Sequence, residues 1–251
     1  LRVIATPVTE NGQVTGAVLL VMDVTENERR EQLRREFSAN VSHELKTPLT
    51  SIMGAAEIIE KGIVKSEDIP HFVGKIHSEA VRLLALIEDI IKISRLDEGN
   101  LVREFEEVSL DDICRSVISE LSEKAQSREI TLESHLDKVK MLGVKPVLHE
   151  MVCNLCDNAI AYNNKGGKVE ISLEKTDTSC ILKVSDNGIG IPPEHQARIF
   201  ERFYRVDKSH SKETGGTGLG LSIVKHGAAL HSGVIDLRSE VGKGTVITIT
   251  F

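Results

Sequence analysis

Between Leu33 and Ser94 the chain repeats apolar residues at the period of a helix, and this restricts it more than any other feature of its 251 residues. Leu33, Phe37, Val41, Leu45, Leu49, Ile52 and Ile59 follow one another at steps of three, four and seven. Such spacing lays one apolar stripe along a helix. Gly62 and Pro70 interrupt the pattern, and Val73, Ile76, Ala80, Leu83, Ile87, Ile90 and Ser94 resume it as a second helix with a bundle seam. A single helical hairpin cannot bury both seams, so the spacing predicts a dimer that completes a four-helix bundle.

From about residue 105 the pattern changes to mixed α/β. Strands are predicted at 130–133, 168–174, 180–186, 234–239 and 244–251, and helices at 110–125, 145–161 and 219–230. Ahead of the helices, 3–9 and 14–24 read as two strands joined by an Asn11-Gly12 turn. A charged stretch at 26–35 reads as a solvated helix leading into the first seam, and Leu96-Asp97-Glu98-Gly99 closes the helical hairpin. The expected organisation is therefore multidomain: 1–25, a linker helix 26–36, an all-α hairpin 37–100, and an α/β domain 101–251. Leu1 opens the chain inside what reads as a strand, which implies a segment upstream.

A net charge of −7 argues against a directly nucleic-acid-binding surface, and no apolar run reaches the length of a membrane span. Cys114, Cys153, Cys156 and Cys180 are too scattered for a disulfide framework. Cys153 and Cys156 lie within an apolar helix pattern and read as core thiols, without a second pair to complete a zinc site. A reducing, cytosolic setting is expected.

His43 lies in the run Phe37-Ser-Ala-Asn-Val-Ser-His43-Glu44-Leu45-Lys46-Thr47-Pro48. At about 100° per residue it falls opposite the Val41/Leu45 seam, facing water, with Thr47 one turn on. Pro48 cannot donate its backbone bond and predicts a bend just after the histidine. His43-Glu44 begins like a zinc-protease helix, but Thr47 stands where the second ligand belongs. The other eight histidines read as solvated surface residues.

The α/β part carries three polar or glycine-rich stations. Asn154 and Asn158 lie one turn apart on a helix with an otherwise apolar face, so their amide oxygens can ligate a hard cation or merely cap a helix. Next, Val184-Ser-Asp186-Asn-Gly188-Ile-Gly190 ends an apolar strand in an acid and two glycines. Its carboxylate can accept from an amino-bearing ring edge, or the segment is only a turn. The third, Gly215-Gly216-Thr217-Gly218-Leu219-Gly220, runs into a helix whose first amides suit phosphate oxygens. Between the last two lie Phe200–Arg205 and a polar stretch, 207–214, that reads as a lid. No Walker loop or Rossmann glycine triplet is present.

Taken in order, these segments resemble the sensor histidine kinases of two-component systems over about residues 37–251. The His43 run is similar to their phosphoacceptor box. The three stations are similar to the N, G1 and G2 boxes of a Bergerat-type ATP-binding domain, a two-layer α/β sandwich, with Phe200–Arg205 as the F box. The first hairpin resembles the end of a PAS sensor domain. The resemblance implies autophosphorylation of His43, with Glu44 assisting, and transfer to an aspartate of a response regulator receiver domain. Thr47 stands where relatives orient water for the reverse phosphatase reaction. It further implies a homodimer, ATP, and Mg²⁺ held by Asn158 with Asn154. Asp186 would bind adenine and Tyr162 would pack near base or ribose. Gly188, Gly190, Arg205, Gly216, Thr217, Gly218, Leu219 and Gly220 would complete the nucleotide site. Membrane anchoring upstream of this cytoplasmic portion is also implied.

One departure is Ala161, where the family usually has a basic residue; Lys165 is the candidate replacement. Two other readings stand beside this one. A chaperone- or gyrase-like ATPase would carry a glutamate where Asn154 stands, and a non-catalytic dimeric scaffold would tolerate Ala161.

Overall fold

The computed structural model describes residues 1–10, 12–97, 105–206 and 216–251. They fall into two units, 1–50 and 51–251. In the first, β1 (Arg2–Glu10) pairs antiparallel with β2 (Gln13–Met22), with a bulge between Val8 and Thr9. Asn11 of the expected turn lies outside the described residues, and Gly12 takes the left-handed conformation (φ +82°) that favours glycine. Val18, Leu19 and Leu20 are consecutive and all exposed, so both faces of this ribbon are apolar.

Helix α1 (Thr25–Glu60) follows, and its start is set by Asp23. Asp23 Oδ1 accepts the Thr25 amide at 2.9 Å, satisfying a free donor of the first turn. Bonding to Thr25 also holds the Asp23 carboxyl below its ordinary range. The helix is continuous through Pro48, although the proline removes the amide that would bond the Glu44 carbonyl. Ser38, Ser42, Thr47 and Thr50 each turn a hydroxyl onto the carbonyl four residues back. Such back-bonding weakens and bends helices slightly, so the backbone around His43 is softened by its own sequence. The helix ends in a Schellman motif: Gly62 (φ +66°) donates to the Ile59 carbonyl, and Ile63 to that of Ile58.

In the second unit the last turns of α1 are followed by α2 (Ile69–Asp97). Ala55, Leu86 and Ile93 are buried, whereas Met53, Val73, Val81, Leu84, Ile87 and Ile91 are exposed. The expected close of the hairpin runs past Asp97 into residues outside those described.

The α/β part is a two-layer sandwich. A five-stranded sheet has the order β4-β6-β7-β9-β8, built from β4 (Thr131–Leu136), β6 (Lys168–Lys175), β7 (Cys180–Asp186), β9 (Gly244–Thr250) and β8 (Val234–Glu240). Only the β4–β6 pair is parallel. Helices α3 (Leu110–Ser127), α4 (Lys145–Ala161) and α6 (Gly220–Leu230) supply the other layer, and a short α5 (Pro193–Gln196) lies between β7 and α6. Val169, Ile171, Leu173, Leu182, Val184, Ile247 and Ile249 from the sheet pack with Leu148, Met151, Val152, Leu155 and Ile160 of α4. Each such side chain contributes about 1.5–3 kcal/mol through burial. Two short strands were not expected from the sequence: β3 (Glu106–Ser109) and β5 (Lys140–Gly143) pair antiparallel as a separate ribbon.

The four cysteines are free and, apart from half-buried Cys153, buried. Burial pushes the Cys114 thiol up to about 12 and the Cys153 thiol up to about 11, so both remain protonated. Among the described residues no group of three His, Cys, Asp or Glu is placed to hold a metal. Nor is any described helix long and apolar enough to cross a membrane.

His231 corrects the reading of the remaining histidines as solvated, because it is buried between Phe105 and Phe251. Its Nδ1 donates to the Gly227 carbonyl at 2.7 Å, which leaves Nε2 as acceptor for the Val144 amide at 3.0 Å, at the start of α4. Burial pushes its pKa below the ordinary 6.5. The unfolded chain therefore binds the proton more readily than the native one, and the stabilisation is complete above 6.5 and lost as pH falls through the depressed value. Two outcomes are expected in urea titrations. Stability declines as pH is lowered from 7.5 to 5. His231→Ala removes part of that decline and, by orphaning the Val144 amide, costs about 1–3 kcal/mol at pH 7.5.

Candidate functional site

His43 stands on α1 with its side chain 79% exposed, while that of Glu44 is 30% exposed. Nδ1 faces Glu44 Oε1 at 3.7 Å, which leaves Nε2 as the outward nitrogen. This orientation follows from the stripe, since Val41 and Leu45 are half-buried on the other side. The Thr47 hydroxyl donates to the His43 carbonyl at 3.2 Å, so it is turned towards the backbone.

On α4 the apolar face packs on the sheet, and Asn154, Asn158 and Tyr162 rise on the opposite side at four-residue steps. The Asn154 amide is oriented by Glu150, one turn earlier: Nδ2 donates to the Glu150 carbonyl at 2.9 Å and to its Oε1 at 3.2 Å. Oδ1 is thereby directed towards Gly220, where a β-carbon would lie 2.5 Å from it. The sequence did not mark Glu150, and its only signal was a carboxylate on the asparagine stripe. Asn158 is half-buried beside this oxygen-bearing face. Two amide oxygens without a carboxylate suit a hard cation that brings water and phosphate oxygens with it, which is how Mg²⁺ is usually held. The donor set therefore fits that ion.

Asp186 ends β7, its Oδ1 accepting the Gly188 amide at 2.8 Å. Burial raises its carboxyl pKa, opposed by backbone bonds from Gly188 and Thr245. The two neighbouring glycines serve the protein's own backbone. A β-carbon on Gly188 would meet the Tyr162 carbonyl at 2.4 Å, and one on Gly190 (φ +68°) the Glu240 carbonyl at 2.1 Å. The Ile189 amide between them donates to the Tyr162 carbonyl, tying the end of α4 to the strand that carries Asp186. Protein packing by itself thus requires glycine at these two positions.

The glycine-rich loop behaves differently along its length. Gly215 and the expected lid at 207–214 lie outside the described residues. A β-carbon on Gly218 (φ +75°) would meet the Phe203 backbone at 3.1 Å, and the Gly218 carbonyl accepts the Phe203 amide at 2.9 Å. Phe203 itself is left-handed (φ +62°), a strained conformation for a bulky residue, and it sits where the F-box segment meets the loop. Gly216 alone of the five described glycines in these two stations has room for a β-carbon, which would make ordinary contacts with Arg205 Nη2 at 3.8 Å and the Tyr162 hydroxyl at 3.9 Å. Leu219 is fully buried and anchors α6, its amide donating to Thr217 Oγ1 at 3.2 Å.

The structure thus brings Asn154, Gly220, Gly216, Tyr162 and Arg205 together, with Asp186 and Gly188 joined to the end of α4. Lys165 does not join them: its Nζ pairs with Glu129 Oε1 at 2.9 Å, both side chains exposed, because Gly166 turns the segment onto Glu129.

The fold and this cradle define a class. Residues 143–251 match the family described as histidine kinase-, DNA gyrase B- and HSP90-like ATPase. Residues 33–99 match the His Kinase A (phospho-acceptor) domain. Among curated relatives, the sensor-like histidine kinase SenX3 of Mycolicibacterium smegmatis is 39% identical over 239 residues, covering 93% of this chain and 61% of the relative. The sensor histidine kinase WalK of Bacillus subtilis is 34% identical over 252 residues, covering 96% and 40%. The solved histidine kinase AdeS of Acinetobacter baumannii superposes with a TM-score of 0.69 at 25% identity, covering 83% of this chain and 96% of that one. Histidine kinase ThkA, solved in complex with the response regulator protein TrrA, gives 0.70 at 25% identity, covering 99% and 74%. The chain belongs to the sensor histidine kinases, and it spans between two-fifths and three-fifths of the length of these two curated relatives.

The glycine geometry predicts unequal tolerance to a methyl group. Gly190→Ala, with a backbone clash and a left-handed φ, is expected to lower unfolding free energy by about 2 kcal/mol or more. Gly216→Ala is expected to change it by less than about 0.5 kcal/mol. Parallel urea titrations check both.

Proposed function

We propose that this chain is the catalytic portion of a sensor kinase, in which ATP on the α4 cradle donates its γ-phosphoryl group to Nε2 of His43. The observation that carries this reading is the imidazole, exposed and flanked on Nδ1 by Glu44. A neutral imidazole with its proton on Nδ1 presents the Nε2 lone pair for attack. As the N–P bond forms and ADP leaves, positive charge develops on the ring and the Nδ1 proton turns to Glu44. Asp186 would read the adenine amino group, and Tyr162 would pack near base or ribose. Arg205 and the loop residues Gly216 and Thr217 would meet the phosphates, while Leu219 and Gly220 shape the start of α6. Asn154 and Asn158 would hold Mg²⁺, which neutralises phosphate charge. Positioning and electrostatics carry most of such a reaction.

The N-box composition favours transfer over hydrolysis. Where a chaperone- or gyrase-like ATPase would carry an activating glutamate, this chain has Asn154, and Glu150 is committed to Asn154 and to Lys92. The phosphoryl group then passes to an aspartate of a response regulator, a reading supported by the ThkA–TrrA complex among its structural neighbours. Thr47 would serve the reverse, phosphatase reaction. The exposed residues Val73, Val81, Leu84, Ile87 and Ile91 on α2 support a homodimer. The β1–β2 ribbon would complete a PAS-like domain, with 1–25, 26–36, 37–100 and 101–251 as successive domains and a membrane anchor further upstream.

Incubation with γ-labelled ATP tests the reading. Acid-labile label is expected on the wild type and not on His43→Gln, whereas equal labelling of both would overturn it. Sedimentation at micromolar concentration should show a dimer. Because Lys165 is paired elsewhere, Lys165→Ala should leave the labelling rate unchanged.

A further inference from the structure

One face of α2 is tied to the α/β domain at three points. Asp89 Oδ2 accepts the Thr217 hydroxyl at 2.7 Å. Lys92, one turn on, places Nζ 2.8 Å from Glu150 Oε1 and 3.7 Å from Asp89 Oδ1. At the end of the helix Asp97 accepts Arg202 Nη2 through both oxygens, at 2.7 and 2.9 Å. Leu86 and Ile93, on the same side, are buried, while Ile87 and Ile91 of the other faces remain exposed. The docked face is therefore distinct from the face left for a second copy.

Two stations of the candidate nucleotide site are engaged by a single turn of α2: Thr217 directly by Asp89, and Asn154 through Glu150 and Lys92. The Thr217 hydroxyl donates its one proton to Asp89 and accepts the Leu219 amide. One of the amides that would otherwise greet a phosphate at the start of α6 is thus satisfied internally. Asp89, Glu150 and Lys92 together carry one net negative charge beside the loop. A carboxylate in that place repels a polyphosphate, and the loop cannot turn to a ligand without releasing the hydroxyl from Asp89.

We propose that Asp89 is an autoinhibitory latch: it holds Thr217 against α2 and puts a carboxylate where the phosphates of a nucleotide would come, so that docking of α2 and nucleotide binding oppose each other. The proposal rests on the nucleotide reading given above. Linkage makes the antagonism mutual: bound nucleotide weakens the hold of α2, and a signal that shifts α2 raises nucleotide affinity.

Calorimetric titration of the intact 251-residue chain with Mg-ATP and with adenosine tests the latch. Asp89→Asn keeps size and hydrogen bonding but removes the charge; should it fail to fold by circular dichroism, Asp89→Ala takes its place. The variant is expected to bind Mg-ATP about three- to tenfold more tightly, with adenosine affinity within about twofold of the wild type. Unchanged or weaker Mg-ATP binding overturns the latch, as does a parallel gain for adenosine, which would mean general loosening of the site. Absence of Mg-ATP binding in both the wild type and the Asp89 variant overturns the nucleotide reading and the latch with it. Binding that ignores Asp89 overturns the latch alone.

Discussion

The packing of α4 on the sheet is the constraint on which the α/β domain depends. Leu148, Met151, Val152, Leu155 and Ile160 are buried in one core with the strands, and this fixes the rotation of the helix. Once that rotation is set, Asn154, Asn158 and Tyr162 have no choice but to rise on the other side. The end of the same helix, through the Tyr162 carbonyl, receives the Ile189 amide and places the Asp186 turn. Its start is closed by His231 from the end of α6. Apolar burial in one helix thus positions polar groups drawn from three separate segments.

A second level of organisation joins α2 to this domain. The contacts of α2 are polar where they meet the candidate nucleotide stations, and Ile93 beside them is buried. Polar ties of this kind, partly open to solvent, are individually weak and reversible. They suit the proposed latch, whereas the apolar α4 core suits a fixed support.

Much of this was legible in the sequence because it is locally periodic. The strand at Cys180–Asp186 and the helix at Lys145–Ala161 fall where their patterns place them, since each carries its own alternation or stripe over several repeats. β3 and β5 escaped because four residues are too few to show a period. His231 escaped for another reason: Leu-His-Ser-Gly reads as an exposed helix end, and its burial depends on Phe105 and Phe251, far away in sequence. Gly188 and Gly190 were legible as required glycines, but what requires them is the Tyr162 and Glu240 carbonyls, which only the fold brings near. Glu150 meets Asn154 locally, one turn away, but its second partner, Lys92 of α2, is brought to it only by the fold.

The central claim is that His43 accepts a phosphoryl group on the nitrogen that Glu44 leaves free. Phosphorus and nitrogen NMR of the chain carrying ¹⁵N-labelled histidine, after incubation with Mg-ATP, tests this most directly. A single phosphoramidate coupled to Nε2 of His43 is predicted. Coupling to Nδ1, or phosphate on any other residue with His43 unmodified, would contradict the account.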